Sequence, residues 1–233
     1  MNHVVKLNGF TIVELMLAMG FVSALLLAIA MTVIQIGNIY NRGLTYTNVN
    51  QAGSSLVSEL YRSIGGSAAF DISTNVRGNG PRYVKKTLGG RLCLGQYSYV
   101  WNYGKALANN TTINKYSENT EVKIHFIKAL DPNTKYCRQP NSDIDPADAV
   151  ELLDSGQHDL AIHSLAITSN SSATDASTGQ QLYNITLRIG TNDQTALNID
   201  NTTCKVPSDA GSDPSYCAVN KFTITVRAGN AAE

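Results

Sequence analysis

From Leu15 to Ile34 the chain runs for twenty residues without a charged side chain. As a helix this stretch spans about 30 Å, enough to cross the hydrocarbon core of a bilayer. Glu14 stands one turn inside the edge of the apolar segment. A carboxylate there is costly, and such a group is kept where it has a task. Two ordinary explanations compete. A secretory signal has a shorter apolar core and a small-residue cleavage site after it. Here the run is longer, and no clear cleavage context follows. A plain membrane anchor accounts for the run but not for Glu14.

The residues around Glu14 carry a more specific pattern. Gly9-Phe10-Thr11-Ile12-Val13-Glu14-Leu15-Met16 resembles the processing motif of type IV pilins and type II secretion pseudopilins. The resemblance implies that a membrane-bound prepilin peptidase cuts after Gly9 and methylates the new amino terminus, Phe10. A glycine with no side chain suits the narrow active site that such a cut requires. Glu14 matches the glutamate at the fifth mature position. In the family this carboxylate pairs with the terminal amine of an adjacent subunit and so reports axial register. The competing reading is that Glu14 merely snorkels to the membrane interface. The resemblance spans eight residues and gains specificity from the apolar run behind them. Many major pilins carry a proline in that run, whereas the first proline here is Pro81. Gln51 to Gly66 is weakly similar to minor pilins and J-type pseudopilins.

The family implies a structural subunit with no cofactor, metal or enzymatic role. Its N-terminus lies inside and its head outside the cytoplasmic membrane, with membrane lipid around the helix before assembly. Other pilin subunits surround it afterwards, in an extracellular pilus. The alternatives are a pseudopilin of a secretion or DNA-uptake machine and a single-pass surface adhesin that never polymerises. Within the apolar run, Gly20, Ala24 and Ala28 recur every four residues, a spacing that lets helices approach closely in lipid; coincidence in an alanine-rich helix explains it equally well.

The helical pattern continues past the membrane segment. Val49, Ala52, Leu56, Leu60 and Ile64 recur at three- and four-residue spacing, with Val57 and Tyr61 widening the stripe. Gly65-Gly66 reads as its stop, and Gly37, Gly43 and Gly53 weaken it. The organisation expected is a leader over 1–9, a transmembrane or filament-core helix over 10–36, an amphipathic extension over 37–66 and a disulfide-containing β-rich head over 67–233. Strands are expected over Arg91–Tyr103, Glu121–Leu130, Asp159–Thr168, Gln181–Gly190 and Ala218–Arg227, with a short helix over Asp148–Ser155. No crossover of helical length separates most of these strands. The expected class is therefore α+β, with a long helix packed on an antiparallel sheet.

The four cysteines, Cys93, Cys137, Cys204 and Cys217, all lie beyond the apolar run and include no C-x-x-C pair. That argues against a zinc or thioredoxin-like site and, in an exported head, for two disulfides. Cys204 and Cys217 flank a Pro/Ser/Asp/Gly loop and are natural partners, which leaves Cys93 with Cys137; three connectivities remain formally open.

Charge is balanced at 18 basic and 18 acidic residues, unlike a generic nucleic-acid-binding protein. It is also segregated. Seven bases and no acid lie between Ile72 and Ser117, and eleven acids with only Arg188 and Lys205 lie between Asp143 and Asp213. The charges either meet in the fold or give the molecule a basic and an acidic side. His125, His158 and His163 accompany no hydrolase or zinc-protease motif. Asp143, Asp145 and Asp148 lack the glycine turn and distal glutamate of a calcium loop. Tyr97, Tyr99, Trp101 and Tyr103 alternate inside the basic stretch, so a strand places them on one face. The row is either core or an exposed stacking platform for sugar or single-stranded nucleic acid. DNA uptake and adhesion both occur in the family, and the resemblance selects neither.

Overall fold

The computed structural model describes residues 11–72, 82–118, 121–153, 159–169 and 179–229. Helix α1, Ile12–Gly65, contains 54 residues. The chain divides into two compact units, Met1–Asn41 and Arg42–Glu233, so the helix contributes to both. Among the described residues of the second unit there are eight strands. β1 (Tyr83–Lys86), β2 (Gly89–Cys93), β3 (Tyr97–Asn102), β4 (Phe126–Leu130) and β5 (Ala149–Glu151) form a five-stranded sheet in sequential order. β6 (Leu160–Ser169), β7 (Gln181–Thr191) and β8 (Val219–Ala228) form a three-stranded sheet, again in sequential order. Every pairing between these strands is antiparallel. Two short helices, α2 (Gly104–Ala108) and α3 (Lys135–Arg138), sit in the connections. The fold is α+β, with the second half of the long helix packed on antiparallel sheets.

The buried stripe of α1 runs through Thr45, Val49, Gly53, Leu56, Leu60 and Ile64. It joins Leu92, Tyr99, Trp101 and Phe126 of the first sheet and Ile162, Tyr183, Ile185, Leu187 and Ile189 of the second in one core. Ala52 and Val57 are partly buried against it, whereas Tyr61 is 56% exposed and does not widen the stripe. Gly53, which costs intrinsic helix propensity, has a packing reason. A β-carbon there would run into the Phe222 ring and the Ile189 side chain. The missing side chain lets the helix approach β7 and β8 closely.

Three sequence expectations are corrected. Arg91–Tyr103 is not one strand but the end of β2, a tight turn and β3. Gly95 adopts φ 105° there, and the Leu94 N–H reaches the Tyr97 carbonyl at 2.9 Å. The strand expected from Glu121 begins only at Phe126, and Val122 is 52% exposed. The helix expected over Asp148–Ser155 is absent from its described residues. Pro146–Asp148 form a 3-10 turn capped by the Asp145 side chain, and Ala149–Glu151 then pair with β4. Ala149, Leu152 and Leu153 mimic a helical face by spacing alone, whereas the turn before them sets an extended exit.

The disulfides are Cys93–Cys137 and Cys204–Cys217. The first lies in a second apolar cluster, on the far side of the first sheet, with Val100, Ile127, Tyr136 and Ile144. The second lies in a small cluster with Ala196 and Leu197. Loop-closure entropy scales with the residues enclosed, 44 for the first bond and 13 for the second. Replacing Cys93 and Cys137 with alanine is therefore expected to lower unfolding stability by about 4 kcal/mol, and replacing Cys204 and Cys217 by about 3 kcal/mol. Denaturant unfolding of the two paired variants checks both the magnitudes and their order.

Candidate functional site

The N-terminal helix supplies the first group of candidate residues. Gly9 and Phe10 lie outside the described residues. Thr11 and Glu14 form a reciprocal cap. The Thr11 hydroxyl accepts from the Glu14 backbone N–H at 3.2 Å, and the Glu14 carboxylate accepts from the Thr11 backbone N–H at 3.3 Å. The same carboxylate also accepts from the Thr11 hydroxyl, at 3.1 Å. This Thr-x-x-Glu arrangement satisfies donors that the first turn of a helix leaves unpaired. Glu14 therefore has a local task inside one chain, beside the intersubunit role that the resemblance implies. The Thr-x-x-Glu spacing was the available signal.

Beyond the cap the helix is apolar all round. Ile12 is 78% exposed, Leu17 74% and Phe21 70%, and every residue of the described chain up to Tyr40 is exposed. The Ser23 and Thr32 hydroxyls bond back to the Met19 and Ala28 carbonyls, each at 2.8 Å, so they present no unsatisfied donor. The segment is long and apolar enough to cross a membrane. Gly20, Ala24 and Ala28 are exposed along it. A surface of this kind is stable only in lipid or against other apolar helices.

The head supplies the second group. Tyr99 and Trp101 are fully buried and Tyr103 is 9% exposed. Trp101 stacks with Phe126 and Tyr83 at centroid distances of 5.9 and 6.3 Å. Its register partner is Gly90, where a β-carbon would strike the indole ring. Gly90 thus makes room for the indole, and Gly89 for the close backbone of Trp101 and Asn102. An exposed stacking platform is ruled out for these three residues. Tyr97, at the strand end, is half-buried with the Lys128 ammonium 4.2 Å from its ring centre.

Polar side chains tie the helix to the first sheet. Glu59 accepts from Lys128 at 2.8 Å and from the Tyr99 hydroxyl at 2.7 Å, and Ser63 lies 2.6 Å from the same hydroxyl. The Lys128 bond, followed by that of Tyr99, holds the Glu59 carboxyl below its ordinary range. Arg91, 2% exposed, donates to Asn114 and to the carbonyls of Tyr136, Gln139 and Ser142. Burial pushes its guanidinium down to about 10. This buried cation anchors the α3 region to β2, so one member of the basic stretch is structural.

Three of the groups weighed as chemical, Asp145, His125 and His163, have structural partners. Asp145 caps the 3-10 turn through the Ala147 N–H. His125 meets Asp159 at 3.2 Å and links β4 to the start of β6; His158 lies outside the described residues. His163 bonds the Thr191 carbonyl at 3.0 Å, and burial pushes its imidazole down to about 4. A histidine whose folded pKa lies below its unfolded value, near 6.5, leaves full stability above about pH 6.5. That contribution is lost as pH falls from about 6.5 through about 4, and is about 3 kcal/mol at most. His125 acts oppositely. Burial pushes it down, but Asp159 and Glu151 outweigh burial and raise it, so its contribution is lost as pH rises. His163→Gln keeps an N–H donor and removes the titration. Its stability, followed from pH 7 to pH 4, is expected to fall less steeply than that of the parent; parallel curves would contradict the assignment.

No protein-family model, curated protein or solved structure matches this chain. The architecture on its own terms is pilin-like: a long apolar N-terminal helix whose second half packs against antiparallel sheets of a disulfide-bonded head.

Proposed function

We propose that this chain is a type IV pilin-like structural subunit, processed between Gly9 and Phe10 and assembled through its apolar helix into an extracellular filament. The observation that carries the reading is the coincidence of the Gly9–Met16 motif with a helix that is apolar on every side and exposed along its whole first half. Lipid satisfies that surface before assembly, and the helices of other copies satisfy it afterwards. Two disulfides suit a head on the oxidising side of the membrane. The partners proposed are a prepilin peptidase and other pilin-like subunits, and the role is structural, without enzymatic activity or a cofactor. The weak similarity of Gln51–Gly66 to minor pilins is the ground for proposing a minor component.

Processing is the direct test. Gly9→Val places a branched side chain at the scissile position. It should leave the full-length precursor in the membrane, visible as a shift in mass, while the parent chain begins at a methylated Phe10. A parent chain that retains residues 1–9 in extracellular material would contradict the proposal.

A further inference from the structure

We propose that the face of the three-stranded sheet turned away from α1 is a docking surface for an acidic polysaccharide. The alternation of β7 and β8 sends Tyr183, Ile185, Leu187 and Ile189 into the core, so Thr186 and Arg188 stand on the opposite face. Arg188 is directly opposite Lys221, and Thr186 directly opposite Thr223. Arg227 lies on the same face, about 20 Å along the strands from the Arg188 row. None of these residues belongs to an apolar cluster.

Two like charges directly opposite on one sheet face repel each other and destabilise the pairing. The ion pairs Lys128–Glu59 and His125–Asp159 involve neither Arg188 nor Lys221. The described strands place no acid on this face. An external anion removes the repulsion. Between the cations lie hydroxyl and amide side chains, among which the Thr225 hydroxyl donates to the Asn184 side chain at 2.7 Å. Cations spaced along a hydroxyl-bearing face complement a chain of sugar carboxylates and hydroxyls. The described strands place no aromatic side chain on this face, and Tyr99, Trp101 and Tyr103 are buried in the core. Stacking on single-stranded nucleic acid is therefore not available to it. Three cations also fall short of the phosphate contacts that give duplex DNA its affinity.

This inference goes beyond the filament reading, because it concerns the head of a single subunit. The test uses the full chain in detergent over immobilised polygalacturonate, with uncharged dextran and duplex DNA as parallel surfaces. The parent should bind polygalacturonate at low salt and release as salt rises. Arg188→Gln with Lys221→Gln should weaken binding about tenfold, the scale of two lost surface charge contacts. Lys105→Gln with Lys115→Gln, exposed basic residues elsewhere on the head, should change it less than twofold, roughly the effect of a remote surface charge. Equal binding to dextran, preference for DNA, or unchanged binding by the Arg188/Lys221 variant would each overturn the proposal.

Discussion

Trp101→Ala is expected to destabilise the Arg42–Glu233 unit by about 3–5 kcal/mol, the range for truncating a large buried aromatic. The indole is fully buried. It is packed between Tyr83 and Phe126, and the space opposite it is kept open by Gly90. Neighbours that already meet in a close-packed core cannot collapse into the vacated volume without losing their own contacts. The core that loses the ring is shared by helix and both sheets, so the cost falls on the whole unit. Denaturant unfolding measures it. A midpoint equal to that of the parent would show that Trp101 does not hold the core together.

Glu14→Val is expected to leave membrane insertion intact or improved and to reduce filament incorporation severely. Two effects separate here. Inside one chain the substitution removes the carboxylate half of the cap with Thr11 and leaves the Thr11 hydroxyl on the backbone N–H of residue 14, a loss of about 1 kcal/mol of helix-end stability at most. That is too little to unravel a 54-residue helix. In the proposed filament, the same carboxylate passes from Thr11 to the terminal amine of a neighbouring Phe10, in surroundings without water. Removing it there leaves an amine buried without a counter-charge, which costs about 3–5 kcal/mol in comparable buried pairs. Glu14→Gln separates the two roles, because it keeps a side-chain acceptor for the cap and loses the charge. Both variants should insert normally and be scarce in sheared filaments. Normal incorporation of Glu14→Gln would restrict the residue to capping.

The long helix and the class of fold were legible because their signals are local and periodic. An uncharged twenty-residue run and a three-to-four-residue apolar spacing mean little except helix. β8, whose Phe222, Ile224 and Val226 alternate cleanly, and β7, whose alternation is looser, were both placed within a residue or two. β1 was hidden because Tyr83–Lys86 is only four residues long and follows a stretch rich in glycine and proline. β5 was masked by Ala149, Leu152 and Leu153, whose spacing imitates a helix. The split between β2 and β3 depends on the positive φ of Gly95, one backbone angle inside an otherwise strand-like run. The aromatic row was recognised as lying on one face, but which way the face turned depended on tertiary packing. Only the three-dimensional pairing of Gly89 with Asn102 and of Gly90 with Trp101 explains the two glycines. The Arg91 network was invisible for a related reason, since its acceptors are mostly backbone carbonyls of residues 136–142.

The central claim is that a processed, apolar-helix subunit forms the extracellular material, and N-terminal mass spectrometry of sheared, washed surface filaments tests it most directly. The account predicts peptides of this chain that begin at Phe10 with a methylated amine, together with intact Cys93–Cys137 and Cys204–Cys217 bonds. Peptides that begin at Met1, or filaments that lack this chain while it remains unprocessed in the membrane, would contradict it.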